Sequence, residues 1–290
     1  MKFQLWPSAL AVVLSLMIGL ALGIVGTHRS GDGLAVTVNG NFGGPVAIAV
    51  TGSITAEHQR ITAIAGTGSA IAPQSQVLLR VSNFAYTADG FISTINAGTL
   101  RAATASKEDL GDLFSLVKDV KEGSRIVAVY PDKSKVSAEI VVLDLLPTVI
   151  RGKVNQPQNF PSGMRIAEDA KGVPQVLASG SPITDAQVAV VVPGTGEQVK
   201  SNEAIYANYL ITDAHGQAKE STFGQPSVAY IDFDKVYSGL RAALVDQRIG
   251  SRIVAAIPSA QGRGDGDVFV VMDILARADK ATSITSAVTS

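Results

Sequence analysis

The chain carries few of the side chains from which catalytic constellations are built. Among its 290 residues there is no cysteine, which excludes disulfides, thiolate nucleophiles, cysteine–zinc sites and a lipid-modified N-terminal cysteine. The three histidines, His28, His58 and His215, are scattered. No H-x-x-x-H or H-E-x-x-H spacing occurs, so neither a metal site nor a cofactor is expected. No serine is bracketed by elbow glycines. Gly66-Thr67-Gly68 and Gly194-Thr195-Gly196 could suggest phosphate loops, but neither continues to G-K-[ST], and both read as turns. Arg263-Gly264-Asp265 has the form of an adhesion tripeptide and reads as a chance occurrence in a Gly-rich loop. Asp265-Gly266-Asp267 lacks the further oxygen ligands of a calcium loop. What remains is aromatic: Tyr206, Tyr209, Tyr230 and Tyr237 either line a cleft or fill an ordinary strand core.

The elements that would position such residues are organised by a repeat. Gly123-Ser124-Arg125-Ile126-Val127-Ala128 returns letter for letter as Gly250-Ser251-Arg252-Ile253-Val254-Ala255. Each copy runs to a proline, Pro131 or Pro258, crosses a polar loop, and ends in a second apolar run, Ile140 to Leu146 or Val268 to Leu275. Identity of this length at one offset indicates a tandem duplication, and the period is far too long for a solenoid. Length alone also favours two domains, and a hydrophobic content of 46% supplies two cores. The net charge of −1 and the absence of a basic run give no attraction to nucleic acid.

From Phe3 to Thr27 no residue is charged. About 20 apolar residues suffice to cross a bilayer, so residues 1–30 read as a membrane anchor or a cleaved signal, with Ala21-Leu22-Gly23 as a small-x-small site. Either places the remainder outside the cytoplasm, anchored to the cell membrane or secreted. Residues 31–150 form the first domain. It opens with short strands and Gly-rich turns, then a strand over 77–84, a turn at Thr87-Ala88-Asp89-Gly90, and a helix over 108–121 from the spacing of Leu110, Leu113, Leu116, Val117 and Val120. Residues 151–175, with Gly152, Pro157, Pro161 and Gly172, read as an exposed linker. Residues 176–280 repeat the order: a strand at 205–210, a turn at 213–216, a helix carrying Val236, Leu240, Leu244 and Val245, and a closing hairpin. The tail 281–290 lacks periodicity and reads as disordered. Strands outnumber helices, so the class is α+β, an antiparallel sheet packed on one helix in each domain.

This order of elements resembles the FKBP-type peptidyl-prolyl cis-trans isomerases over residues 64–147 and 190–276. Val236 to Val245 is similar to the family's V-I-x-G-W-x-x-x-L helix start, Ile249-Gly250-Ser251-Arg252 to its V-G-S-R, Ile257-Pro258 to its I-P pair and Val268 to Leu275 to its last strand. The layout as a whole resembles exported actinobacterial members. The resemblance implies a twisted antiparallel half-barrel wrapped on one short helix, with an apolar cleft for a prolyl ring. It further implies a cleft in the second copy formed by Tyr209, Val236, Tyr237, Leu240, Ile257 and Val270. Tyr209 matches the family's strand tyrosine. Leu240 stands where the family has tryptophan, Val270 where it has phenylalanine, Arg263 where it has the tyrosine of the long loop, and Lys219-Glu220 where it has F-D. In the first copy Phe84, Leu113 and Val141 take the corresponding places, Asp109 stands at the helix start, and the loop Asp132 to Ala138 is short. The implied partners are proline-containing peptides or unfolded exported proteins, with any isomerase activity weak and confined to the second domain. The rival readings are a non-catalytic FKBP-like scaffold or chaperone module at the cell surface, and a structural spacer. No catalytic acid, base or nucleophile is assigned.

Overall fold

The computed structural model describes residues 33–278. The expected anchor at 1–30 and the tail 281–290 lie outside them. Among the described residues no helix is long and apolar enough to cross a membrane.

The described residues hold fifteen strands, three short α-helices and one 3-10 turn, Ser259–Gln261. In the first copy these are β1 (Ala35–Asn39), β2 (Ala47–Thr51), β3 (Gln59–Ile64), β4 (Gln76–Thr87), β5 (Ile92–Thr104), α1 (Lys107–Leu110), α2 (Leu113–Val117), β6 (Arg125–Pro131) and β7 (Ser137–Leu146). In the second they are β8 (Met164–Glu168), β9 (Pro174–Ala178), β10 (Gln187–Val192), β11 (Ala204–Asp213), β12 (Ala218–Ser221), β13 (Ala229–Asp232), α3 (Ser238–Leu244), β14 (Arg252–Ile257) and β15 (Val268–Ala278). The larger sheets run β3-β6-β7-β4-β5 and β10-β14-β15-β11-β12, with β13 also paired to β11. Corresponding strands therefore occupy corresponding places. Each larger sheet is preceded in the chain by a two-stranded hairpin, β1–β2 or β8–β9.

The chain divides into two compact units. Among the described residues, one takes 33–67, Arg80–Thr99 and Gly123–Leu145; the other takes Gly68–Leu79, Leu100–Glu122 and 146–278.

In each copy the repeated hexapeptide performs the same task. Gly123 and Gly250 adopt φ of +87° and +86°, a left-handed conformation that glycine enters without steric cost. Their amides donate to Leu145 O and Ile274 O at 2.7 Å. Ser124 Oγ accepts from Gly66 N at 2.9 Å, and Ser251 Oγ from Gly194 N at 2.9 Å. The G-T-G turn is thus a seat for the G-S-R turn. A Cβ at Gly194 would lie 2.4 Å from Ile249 O, so only glycine fits. The arginine then forks onto an aspartate of the last strand. Arg125 Nε and Nη2 reach Asp144 at 2.6 and 2.8 Å, and Arg252 reaches Asp273 at the same two distances. Both pairs are buried. Such pairs are tolerable only when the remaining donors are used. Arg125 also donates to Gly40 O and Asn41 O in the β1–β2 turn, and Arg252 to Glu168 and Gly172 O in β8–β9. Burial pushes the Asp273 carboxyl up, and the guanidinium opposes this.

The hairpins cover one face of each sheet. Val36, Val38 and Leu34 pack with Phe84, Val127, Val129, Ile140 and Val142. Met164 and Val176 pack with Val254, Ala256, Phe269 and Val271. The stretch 151–175, read from its composition as exposed linker, therefore contains β8. It also sends Asn155 N to Val191 O at 2.8 Å and Asn159 Nδ2 to Val188 O at 2.7 Å, onto strand β10. Its short alternation of Met164 and Ile166 is too brief to stand out beside the glycines and prolines.

The helix expected over 108–121 is instead two single turns. Gly111, at φ +58°, ends α1, and α2 stops at Val117 before Asp119 at φ +63°. The periodic leucines are real, but glycine interrupts the backbone between them. On the other face of the second sheet α3 packs Leu240, Ala243 and Leu244 against Ile253, Ala255, Ile257, Val270 and Met272. A Cβ at Gly239 would sit 2.5 Å from Ile257 Cγ2, which explains glycine in that helical turn.

A buried polar chain runs through the second unit. Asn208 Nδ2 donates to Gln76 Oε1 and Thr148 O, each at 2.8 Å. Thr148 N and Oγ1 donate to Glu122 Oε1 at 2.9 and 2.6 Å. Ile150 N donates to Asp273 Oδ2 at 2.7 Å.

Candidate functional site

Strand alternation sets one wall of a cleft in the second copy. Along β11 the residues Ile205, Ala207 and Ile211, with Tyr209 partly exposed among them, face the α3 side. Tyr209 lies opposite Met272 of β15, and Ile205 lies opposite Ile231 of β13. The chain then passes through Val236 and Tyr237, the latter in extended conformation at the N-cap of α3, and Leu240 faces inward from the helix.

These residues enclose a cleft of about 100 Å3. Its floor and walls are Ile211, Ile231, Val236, Leu240 and Met272; Tyr209 and Tyr237 flank it; Lys235 and Arg263 stand at its rim. Four of the six residues expected at the cleft are therefore brought together: Tyr209, Val236, Tyr237 and Leu240. Ile257 and Val270 do not line it. They are 1% and 0% exposed, buried in the core cluster that α3 completes with Leu240, Ala243 and Leu244.

Beside the cleft lies a second, outer groove of about 220 Å3. It shares Ile211, Tyr237 and Arg263 with the cleft and adds Lys219, Glu220, Asp265 and Val268. The loop between β14 and β15 forms its far side, and this loop is held by its own carboxylates. Asp267 accepts from Ser259 N at 2.9 Å and Ile183 N at 2.8 Å, and these amides hold its pKa below the usual aspartate value. Asp265 pairs with Lys219 at 3.0 Å, and its pKa is lowered by that contact. Arg263 Nη1 donates to Glu220 Oε2 at 3.2 Å and the guanidinium lies 5.9 Å from the Tyr237 ring centre. Glu220 also accepts from the Tyr209 hydroxyl. The charged ends of the R-G-D tripeptide are thus both engaged within the fold. Burial, reinforced by Glu220, pushes the Tyr209 phenol up. Burial likewise raises Tyr237, with Arg263 opposing. Both phenols are therefore protonated donors at neutral pH.

Nothing among the apolar walls can act as nucleophile or base. Among the described residues there is no group of three or more His, Cys, Asp or Glu able to hold a metal ion. The arrangement can take up a small apolar ring, exclude water from it, and offer phenol and guanidinium donors at the mouth.

Lys219, Glu220 and Arg263, read from sequence only as replacements of family residues, are components of this site. Their spacing of over 40 residues hides the pairing. The first copy differs. Phe84 does not correspond to Tyr209 in direction: it packs on the hairpin side, with Val36 and Ile140, whereas Tyr209 faces the helix side. A displacement of one residue along a strand moves a side chain to the opposite face. Asp109 serves in a helix cap. Its amide donates to Ser106 Oγ at 3.2 Å and its carboxylate accepts from Thr104 N at 2.9 Å, and the Thr104 contact lowers its pKa. The short loop is a tight turn in which Asp132 accepts from Val136 N at 3.0 Å.

No family model matches the chain, and no curated protein matches it. Among solved structures it is similar to a peptidyl-prolyl cis-trans isomerase from Pseudomonas syringae pv. tomato, at 19% identity over 41% of this chain and 84% of that one, with a TM-score of 0.30. It is similar to FkpA from Escherichia coli at 17% identity, covering 41% and 54%, with a TM-score of 0.31. It is also similar to the three FKBP domains of wheat FKBP73 at 14% identity, covering 76% and 94%, with a TM-score of 0.30.

Proposed function

We propose that the second-copy cleft binds the prolyl ring of extended peptide segments, and that the chain is an FKBP-type peptidyl-prolyl isomerase or a binding protein derived from one. One observation carries the reading. Tyr209, Val236, Tyr237 and Leu240, singled out by resemblance to that family, converge on one ring-sized apolar cleft. The chemistry required is also what the cleft can supply. The X-Pro amide has a cis/trans barrier of about 20 kcal/mol because resonance keeps it planar. In the transition state the amide is twisted and resonance is lost. A water-excluding cleft that grips the ring and fits the twisted form lowers the barrier without acid, base or metal.

The activity is weak. Leu240 and a buried Val270 occupy the places of large aromatics, and burial of each large side chain is worth roughly 1.5–3 kcal/mol. A non-catalytic prolyl-binding scaffold or chaperone module is the second reading, favoured by those same replacements. The uncharged run Phe3–Thr27 supports an extracytoplasmic, membrane-anchored or secreted protein acting on exported clients; fractionation and intact mass of the native protein test this.

The experiment for the activity is exchange NMR of an X-Pro peptide with the full chain. Faster cis/trans exchange, reduced by Tyr237→Ala, is expected. Binding without faster exchange selects the scaffold, and no binding rejects both readings.

A further inference from the structure

The rim of the cleft has a charge asymmetry. The side chains that line the inner cleft include two cations, Lys235 and Arg263, and no carboxylate. Arg263 also lines the outer groove, so it stands where a peptide would pass from its proline to the adjoining residue. Its side chain is 61% exposed. One of its nitrogens, Nη1, donates to Glu220, which leaves the rest of the guanidinium fork to receive a second acceptor. Lys235 is 81% exposed and only loosely paired, 3.7 Å from Asp232. The nearby carboxylates are already engaged. Glu220 holds Tyr209 and Arg263, Asp265 holds Lys219, and Asp232 lies by Lys235.

Resting on the prolyl reading, we infer that Arg263 is a specificity-determining residue, assisted by Lys235, and that the preferred ligand is a proline flanked by an acidic residue. The proline occupies the apolar cleft. The neighbouring carboxylate lies in the mouth and accepts from the Arg263 guanidinium, with Glu220 holding that guanidinium in place from the other side. An apolar neighbour would leave the guanidinium without this acceptor. A basic neighbour would meet Arg263 and Lys235 at the inner rim.

The test is titration of the full chain with three short peptides of equal length centred on Glu-Pro-Glu, Gln-Pro-Gln and Lys-Pro-Lys, followed by tyrosine fluorescence or amide shifts. The glutamate peptide should bind about three- to fivefold tighter than the glutamine peptide, the scale of a partly exposed ion pair, and the lysine peptide weakest. The preference should fall at high salt as the charges are screened. It should approach unity in Arg263→Gln and persist in Arg263→Lys. Equal binding of all three peptides overturns the specificity while leaving prolyl binding intact. Tightest binding of the lysine peptide overturns it too, showing that Glu220 and Asp265 dominate the mouth. No binding of any peptide overturns both proposals together.

Discussion

At the residue scale, the structure gives each letter of the repeated hexapeptide a separate physical job. The glycine turns left, the serine caps the G-T-G turn, and the arginine neutralises a buried aspartate. The repeat itself is plain in the sequence. Its purpose is not, because each partner lies well along the chain: Asp144 is 19 residues from Arg125, and Asp273 is 21 from Arg252. The lone carboxylate in each apolar run was the available signal, since a charge in a buried strand requires a cation. Arg252→Met should cost about 3–5 kcal/mol by stranding Asp273, and adding Asp273→Leu should restore much of it; denaturant melts of the full chain would read both. In Gly194→Ala a methyl would press on Ile249 O at 2.4 Å, so a loss of about 1–3 kcal/mol is expected from overpacking. At the cleft, Tyr209→Ala with Tyr237→Ala should weaken prolyl-peptide binding by about tenfold or more, since each removes a flanking ring.

At the element scale, strands were legible where apolar residues ran long, as in β6, β7, β14 and β15. They were obscured in the hairpin β8–β9, whose strands are only five residues each and follow a stretch punctuated by Gly152, Pro157, Pro161 and Gly163. The helix pattern over 108–121 was legible in its leucines and broken by Gly111, whose positive φ follows from tertiary context rather than periodicity. The loop between β14 and β15, which borders the cleft, is expected to lose order as pH falls. The amides of Ile183 and Ser259 hold the folded pKa of Asp267 below the ordinary aspartate value. A depressed carboxylate stabilises its contacts at every pH above its unfolded value, and that contribution is lost as pH falls through the folded pKa. The Ser259 and Ile183 amides should therefore stay protected from exchange at neutral pH and lose protection below the ordinary aspartate range. Asp267→Asn should show the lesser protection already at pH 7. Unchanged protection in that variant would remove Asp267 from the account of the loop.

At the scale of the whole molecule, the recurring strand order was legible and the compact units were not. Residues 68–79 and 100–122 precede the second copy in sequence and yet belong to the unit that contains it. The reason is the buried polar chain from Gln76 through Asn208 and Thr148 to Glu122, together with the packing of Leu78, Leu100, Leu146 and Ile150 on Val192, Val228 and Leu275. Such long-range partners leave no periodic trace. A fragment of residues 155–278 would leave Asn208 buried without Gln76 and Thr148, at about 1–3 kcal/mol for each unsatisfied polar group. It should melt earlier and less cooperatively than the same residues within the full chain, which calorimetry on both would show. For this reason the cleft is best studied in the intact protein.

The proposed function rests on entry of a prolyl ring into the cleft between Tyr209 and Tyr237. Amide and side-chain shift mapping of the full chain, titrated with a proline-containing peptide, tests it most directly. Saturable shifts centred on Tyr209, Ile231, residues 235–240, Arg263 and Met272 are expected, with little change over residues 109–141. Shifts centred on residues 109–141, or no saturable shifts at all, would contradict it.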